Sequence, residues 1–431
     1  MKWTTRIANA VGLAARRRVP SVGRLLEPRG VDTVRDYPSD GLTPRRLVSI
    51  LREADSGAPG QAMQLFEEME EEDAHLFAVA GNRRLGLTGL EWSVVSAADR
   101  LEGVDRAFAD EVAAYCRVVL SRIESMDEVL QHLSLAIGRN IAMAELVWGV
   151  RDGAVTVCDI VPVDFGRIVF DELDQPLVLM GDSDRAGQPL SPNKFIVHTP
   201  HSVSGHPARG GLLRATALVF LAKNLAMKDW MIFAELFGMP VRVGRYEPTA
   251  TAEEKRELLD MLESLGSRSA GIFSRAVQLE LVEAGRGKTP PPYENLLGFL
   301  NREMSKAWLG QTLTTEAQGA SLAASRIHDE VRRDLRVDDI RKEGRTIRRD
   351  LLAPLARFRF GPEAPVPFFT RHLDGPRDVR ELTAVLDAAV NRLGMRVPAD
   401  YAHQALGVPQ ADAGEAVVSG ALDAGAVAGG E

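Results

Sequence analysis

With 431 residues, 45% of them apolar and 26% charged, the chain has the length of two or three domains and the composition of a folded protein with a sizeable core. A net charge of −8 excludes an overall electrostatic trap for phosphate backbone, which needs a dominant basic face. Two cysteines, Cys116 and Cys158, are too few for a disulfide framework or a four-thiolate zinc site, and they fit folding in a reducing cytoplasm.

Residues 1–30 carry Lys2, Arg6, Arg16, Arg17, Arg18, Arg24 and Arg29 against Glu27. The apolar stretch Ile7–Ala15 runs into arginines where a signal peptide would have a cleavage site of small residues, so the segment reads as a basic arm. Thr43–Glu53 and Gln61–Gly81 are predicted helices, the first opened by Thr43 as N-cap and Pro44 as first helical residue. The acidic run Glu67, Glu68, Glu70, Glu71, Glu72 and Asp73 falls on the second and is expected to be a solvated face, since a bare helix lacks the turning loop of a calcium site. Leu90–Ser96 alternates as a strand, Val104–Ile123 and Met126–Ala142 are helical, and Ala144–Val150 with Val155–Ile160 forms a hairpin turning at Arg151-Asp152-Gly153. Short strands at Phe165–Phe170, Pro176–Met180 and Lys194–His198 complete an α+β domain over residues 31–205. Its hairpin-like connections exclude a doubly wound nucleotide fold.

Leu212–Phe237 then predicts a single helix about 39 Å long, apolar around most of its circumference. Such a helix must be covered on several sides, and neighbouring subunits are the natural source of cover. Its most apolar stretch, Ala215–Ala222, is closed off by Lys223 and followed by Lys228 and Asp229, too short for a membrane span. A small insertion follows, with strand Val241–Tyr246, helix Ala252–Leu265 and strands near Gly271–Phe273 and Val277–Val282. The Gly- and Pro-rich linker Gly285–Pro292 leads to helix Tyr293–Leu309, whose Leu296, Leu297, Leu300, Met304, Ala307 and Trp308 share a face. The hydroxyl-rich loop Gly310–Ala320 exceeds the usual length of a helix–helix connection. Gln311, Thr312, Thr314 and Thr315 can exchange short-lived hydrogen bonds with phosphate or water and Leu313 offers apolar contact, yet a plain connection has the same composition. A long helix of mixed charge runs from Ser321 to about Arg357, then come helix Val379–Leu393, a helical turn Ala399–Leu406, and a tail of Ala, Gly and acids from Ala411 that reads as disordered.

No constellation for covalent chemistry stands out. Gly285-Arg-Gly-Lys-Thr289 ends like a phosphate-binding loop, but Val282 stands where its first glycine is required and Pro290, Pro291 and Pro292 forbid the helix that must follow. His198, His201 and His206 have no acid or thiolate nearby in sequence to complete a zinc shell, and a turn accounts for them better. His75 and His328, each beside acids on a helix, read as surface residues. Asp171, Glu172 and Asp174 lack a partner at fixed spacing for paired-carboxylate hydrolysis. The expectation is a mechanical part with no cofactor and no metal, not an enzyme.

Six segments carry a resemblance. DGLTPRRLVSILRE at Asp40–Glu53, LFEEMEEEDAH at Leu65–His75, GLEWSV at Gly89–Val94, RGGLLR at Arg209–Arg214, WMIFAELFGMPVRVGRY at Trp230–Tyr246 and LGQTLTTEAQGASLAASRIHDEVRR at Leu309–Arg333 resemble the portal proteins of Mu-like tailed bacteriophages and prophages. The resemblance implies an α+β portal-type fold: an α/β wing over 31–205, two stem helices within 206–240 and 293–309, a β-α-β clip over 241–292, a tunnel loop over 310–320, a long kinked helix over 321–360, and a helical crown with tail over 361–431. It further implies a dodecameric ring at one capsid vertex of the virion, assembled in the host bacterial cytoplasm. Through that ring double-stranded DNA passes without sequence preference.

The implied partners are other copies of the chain, the terminase large subunit, head-completion and tail connector proteins, and the major capsid protein, with no membrane. By resemblance the loop residues that approach DNA are Gln311, Thr312, Leu313, Thr314, Thr315, Glu316 and Gln318. Arg242 and Arg245 in the clip, and Arg302 and Lys306 on the second stem helix, are candidates for pore or intersubunit contacts. Leu218, Phe220, Leu221, Trp230, Phe233, Leu300, Met304 and Trp308 are the expected oligomer interface. The alternative is a structural or scaffolding virion protein without a DNA channel.

Overall fold

The computed structural model describes residues 23–27, 37–151, 153–181, 184–201, 206–238, 242–264, 270–274, 292–312, 322–373, 379–408 and 410. The expected arm up to residue 22, the strand Val277–Val282, the loop-like Gly285–Thr289, the loop residues Leu313–Ala320 and the tail from Ala411 lie outside them. The chain divides into two compact units, Met1–Arg371 and His372–Glu431.

The first unit opens with α1, Pro44–Asp55, where the Thr43 hydroxyl accepts from the Arg46 amide at 3.2 Å and Pro44 takes the first turn. The single helix expected over Gln61–Gly81 is two, α2 (Gly60–Glu72) and α3 (Ala74–Thr88). Asp73 breaks them: its backbone is extended, and its carboxylate accepts from the His75 and Leu76 amides at 2.9 and 3.0 Å, capping α3. The acidic run is a solvated face only in part: Glu67, Glu71 and Glu72 are exposed. Glu68, Glu70 and Asp73 are buried, and each has a specific donor: the Ser39 amide on Glu68, Arg84 and Arg139 on Glu70, Lys223 on Asp73. Buried carboxylates persist when paired in this way.

After β1 (Trp92–Val95), α4 (Arg106–Ser121), α5 (Met126–Ser134) and the single turn α6 (Ala136–Arg139), the chain forms the expected hairpin, β2 (Ala142–Arg151) and β3 (Ala154–Pro162). A bulge between Val147 and Trp148 bends β2. The strands β4 (Ile168–Phe170), β5 (Pro176–Val178) and β6 (Gln188–Pro189) make a separate antiparallel sheet, while β7 (Phe195–His198) pairs with β2 to give the order β3-β2-β7. Below it lies the main core, with Trp148, Leu130, Leu133 and Ile196 at its centre.

The helix α7 spans Leu212–Gly238, one residue beyond the expected end. The insertion is a parallel β-α-β unit: β8 (Arg242–Tyr246), α8 (Ala252–Ser264) and β9 (Ala270–Ser274), with Arg242 opposite Ala270. Next come α9 (Pro292–Leu309) and α10 (Leu322–Ile347), which passes through a π turn at Arg348–Leu352 into α11 (Ala353–Phe360). Pro354 explains the turn, because it has no N–H for the Asp350 carbonyl, and widening the helix relieves the clash. Ile347, Leu351, Leu352 and Leu355 join the main core, so this end of the long helix is buried.

The sequence places no strand at β6 or at β10, Phe368–Arg371, which lies antiparallel to β1 with Trp92 opposite Arg371. Residues 361–371, grouped above with the C-terminal part, thus belong to the first unit. The second unit contains α12 (Val379–Asp387) with a closing π turn, and α13 (Ala399–Leu406). Among the described residues no helix is long and apolar enough to cross a membrane.

Candidate functional site

The long helix α7 starts against α6, and that contact is backbone on backbone. A Cβ at Gly211 would lie 2.1 Å from the Gly138 carbonyl oxygen, so no other residue fits there, which gives the Gly-Gly of the RGGLLR segment its physical reason. Arg214 holds the Asp55 carboxylate with two bonds of 2.8 and 3.0 Å, and Arg209 adds a third at 3.3 Å. Burial pushes the Asp55 carboxyl up, but hydrogen bonds and charge from Arg214, then Arg209, outweigh it and hold it below the usual range.

Along its first half α7 buries Leu213, Ala217, Phe220 and Leu221 within the protomer, and Lys223 reaches Asp73 at 2.7 Å. Its second half pairs with α9, where Trp230 stacks on Tyr293 at 6.4 Å between ring centroids and Phe233 leans on the same ring at 5.9 Å. The other end of α9 is sunk against α3: Leu297, Leu300, Met304 and Trp308 are buried. Each contributes about 1.5–3 kcal/mol of burial.

Eight residues were expected at an oligomer interface. The structure puts Phe220, Leu221, Leu300, Met304 and Trp308 inside the protomer's own core, out of a neighbour's reach, while Trp230 and Phe233 are half-buried in the α7–α9 pair. Leu218, 64% accessible, is the exception. With Leu225 and Ile232 it makes an exposed stripe at seven-residue spacing, flanked by Met227 and Met231, and α9 exposes Leu296 and Phe299. All-round apolarity predicts that α7 is covered but cannot say which face goes to whom.

The base of the loop is held rigidly. α9 ends at Gly310, whose φ of 67° suits glycine, with its amide donating to the Lys306 carbonyl at 3.0 Å. Arg83 of α3 donates to the Trp308 carbonyl at 2.8 Å and forks onto Asp339 of α10 with two bonds of 3.1 Å, all buried. Gln311 is buried at this base, Thr312 half-buried, and Leu313, Thr314, Thr315, Glu316 and Gln318 lie outside the described residues. Of the basic candidates, Lys306 pairs with Glu303 at 2.5 Å on the surface and Arg302 is half-buried, while the side chains of Arg242 and Arg245 are not among those described. Sequence reading missed Arg83 and Asp339. A signal existed, since Arg83 falls four residues from both Val79 and Leu87 on the apolar face of its helix.

The family model described as the portal protein of Mu bacteriophage matches residues 63–408. The chain belongs to the Mu bacteriophage portal-protein family. It is 30% identical over 385 residues to the portal protein of Escherichia phage Mu, covering 89% of this chain and 74% of that one. It is 27% identical over 391 residues to the Mu-like prophage FluMu protein gp29 of Haemophilus influenzae, at the same coverages. A chain from the virion of a native gene transfer agent particle shares the fold at a TM-score of 0.50 and 14% identity, covering 94% of this chain and 99% of that one.

A portal protein is a structural, non-enzymatic virion component, which sets aside the non-portal scaffold and the nucleic-acid enzyme as readings of this chain. The three histidines close together in sequence make structural contacts. His198 bonds through Nδ1 to the Thr346 hydroxyl at 2.9 Å, His206 caps the turn at Pro207–Arg209, and His201 packs beside Lys342. His75 is not a plain surface residue, since its Nε2 meets Ser305 of α9 at 2.8 Å, and the His328 side chain is not among those described. Among the described residues no group of three His, Cys, Asp or Glu could hold a metal ion.

Burial in this portal chain's core, reinforced by the nearby charge of Arg349, lowers the His198 imidazole to about 3. The folded value lies below the ordinary one, so the unfolded chain takes up the proton first. Stability from neutral His198 is therefore complete above about pH 6.5 and drains away as pH falls toward 3, at up to about 1.4 kcal/mol per pH unit. Urea unfolding at pH 7 and pH 5 should show a smaller acid loss in His198→Gln than in the parent, and equal losses would refute this.

Proposed function

We propose that copies of this chain pack side by side as a dodecameric ring at one capsid vertex, forming the conduit through which double-stranded DNA is packaged and ejected. The exposed stripe Leu218, Leu225 and Ile232 carries the reading, being an apolar face that the protomer's own α9 leaves uncovered. In this reading α7 and α9 form the stem, residues 31–205 the wing, 241–292 the clip, 310–320 the tunnel loop, and 372–431 the crown and tail. The clip faces the terminase large subunit during packaging and then the head-completion and tail connector proteins. The major capsid protein surrounds the wing, and assembly takes place in the host cytoplasm. A net charge of −8 suits a conduit, because tight neutralisation of phosphates would retain a duplex that must slide.

Mass photometry tests the ring. The parent should assemble as a dodecamer, and the double variant Leu218→Asp/Leu225→Asp should yield smaller species with an unchanged thermal midpoint, since both positions are exposed in the protomer. A parent that stays monomeric at micromolar concentration refutes it. Deleting Thr312–Gln318 should leave rings intact and impair packaging or retention of DNA, and normal packaging by that variant would remove the loop's role.

A further inference from the structure

On the α/β part of the first unit, away from the paired helices, three elements enclose a cavity of about 230 Å³. α4 and its C-cap supply Tyr115, Val118, Val119 and Arg122; the β2–β3 hairpin supplies Arg151, Ala154, Thr156 and Val157; α11 supplies Arg359. None of the three arginines forms an ion pair with a carboxylate among the described residues, in a chain whose acids outnumber its bases by 60 to 52. Arg122 and Arg359 sit near helix C-termini, where the macrodipole favours a cation. That account does not extend to Arg151, which lies at a strand end, nor to two hydroxyls. Thr156 is 6% exposed with its Oγ1 unpartnered, and the buried Tyr115 Oη is likewise unpartnered. Buried hydroxyls of this kind are uncommon in folded proteins.

We propose that this cavity is a docking site for an acidic peptide segment of a partner protein, with carboxylates held by Arg122, Arg151 and Arg359 and bonded by Thr156 and Tyr115. Guanidinium forks match carboxylates in geometry and charge. The remaining wall decides between peptide and nucleic acid: Val118, Val119, Ala154 and Val157 are apolar. A duplex backbone presents only phosphate and sugar to such a wall. A peptide that alternates acids with small apolar residues satisfies both halves. The site is independent of whether the chain forms a ring.

Fluorescence anisotropy with the full chain and a short labelled peptide of alternating glutamate and valine tests the proposal. Saturable binding is expected, with affinity about tenfold lower for the glutamine–valine analogue and for Arg151→Gln. Thr156→Val should weaken binding severalfold with an unchanged thermal midpoint, because it removes a hydroxyl that has no partner in the folded chain. The proposal is overturned if the glutamine peptide binds equally, if the peptide fails to bind, or if a short DNA duplex or inorganic phosphate displaces it more effectively than unlabelled peptide. A change in oligomeric mass on Arg151→Gln would also overturn it, by making a second copy of this chain the occupant.

Discussion

Lys194→Met should lower the free energy of unfolding by about 3–5 kcal/mol, the usual cost of leaving one half of a buried ion pair without its partner. Lys194 and Glu145 are both fully buried, with Nζ 3.3 Å from Oε1. The ammonium also donates to the carbonyls of Leu146, at 2.8 Å, and Gly23. The carboxylate accepts from the amides of Leu25 and, at 3.1 Å, Leu26. The pair is thus a latch that fastens residues 23–27 beside β2, where Gly23 bridges Trp148. Urea unfolding measures the loss. Adding Glu145→Gln should recover part of it, since no unpaired charge is then left at this site, and tryptic cleavage after Arg24 should accelerate in both variants. A loss below about 1 kcal/mol would mean that water reaches the pair after relaxation.

What the sequence disclosed and what it hid divide along a physical line. The Thr43-Pro44 start, the hairpin around Gly153, the extent of α7 and the β-α-β insertion rest on local signals: a cap, a turn residue, a period of apolar side chains. The errors concern partners distant in the chain. Glu70 looks solvated until Arg139 is folded onto it, and Asp73 looks helical until its carboxylate finds the α3 amides and Lys223. β10 is four residues of mixed character whose pairing with β1 spans most of the chain. On α7, Leu218 and Phe220 differ by about half a turn, one exposed and one in the core, and no pattern in a helix apolar on every side separates them. The family likeness narrowed the function further than any of these local signals, because the loop and helix surfaces that it concerns hold no chemistry to read.

The second large effect is expected at the base of the loop. Arg83→Met should destabilise the protein by about 3–5 kcal/mol, because it strands Asp339 as a buried anion and removes the donor from the Trp308 carbonyl at the end of α9. Arg83→Lys should lose much of the same stability: an ammonium is a point donor and cannot span both oxygens of Asp339 and the carbonyl as the planar guanidinium does. Urea unfolding checks both, and a lysine variant as stable as the parent would show that charge alone suffices. Hydrogen exchange separates global from local loosening. Amides from Met304 to Gly310 should exchange faster in Arg83→Lys than those of β2 and β3, because the tie from α3 through Arg83 to α9 and α10 fixes where the loop leaves the core. Uniform acceleration across both regions would instead make Arg83 a general core residue with no particular hold on the loop.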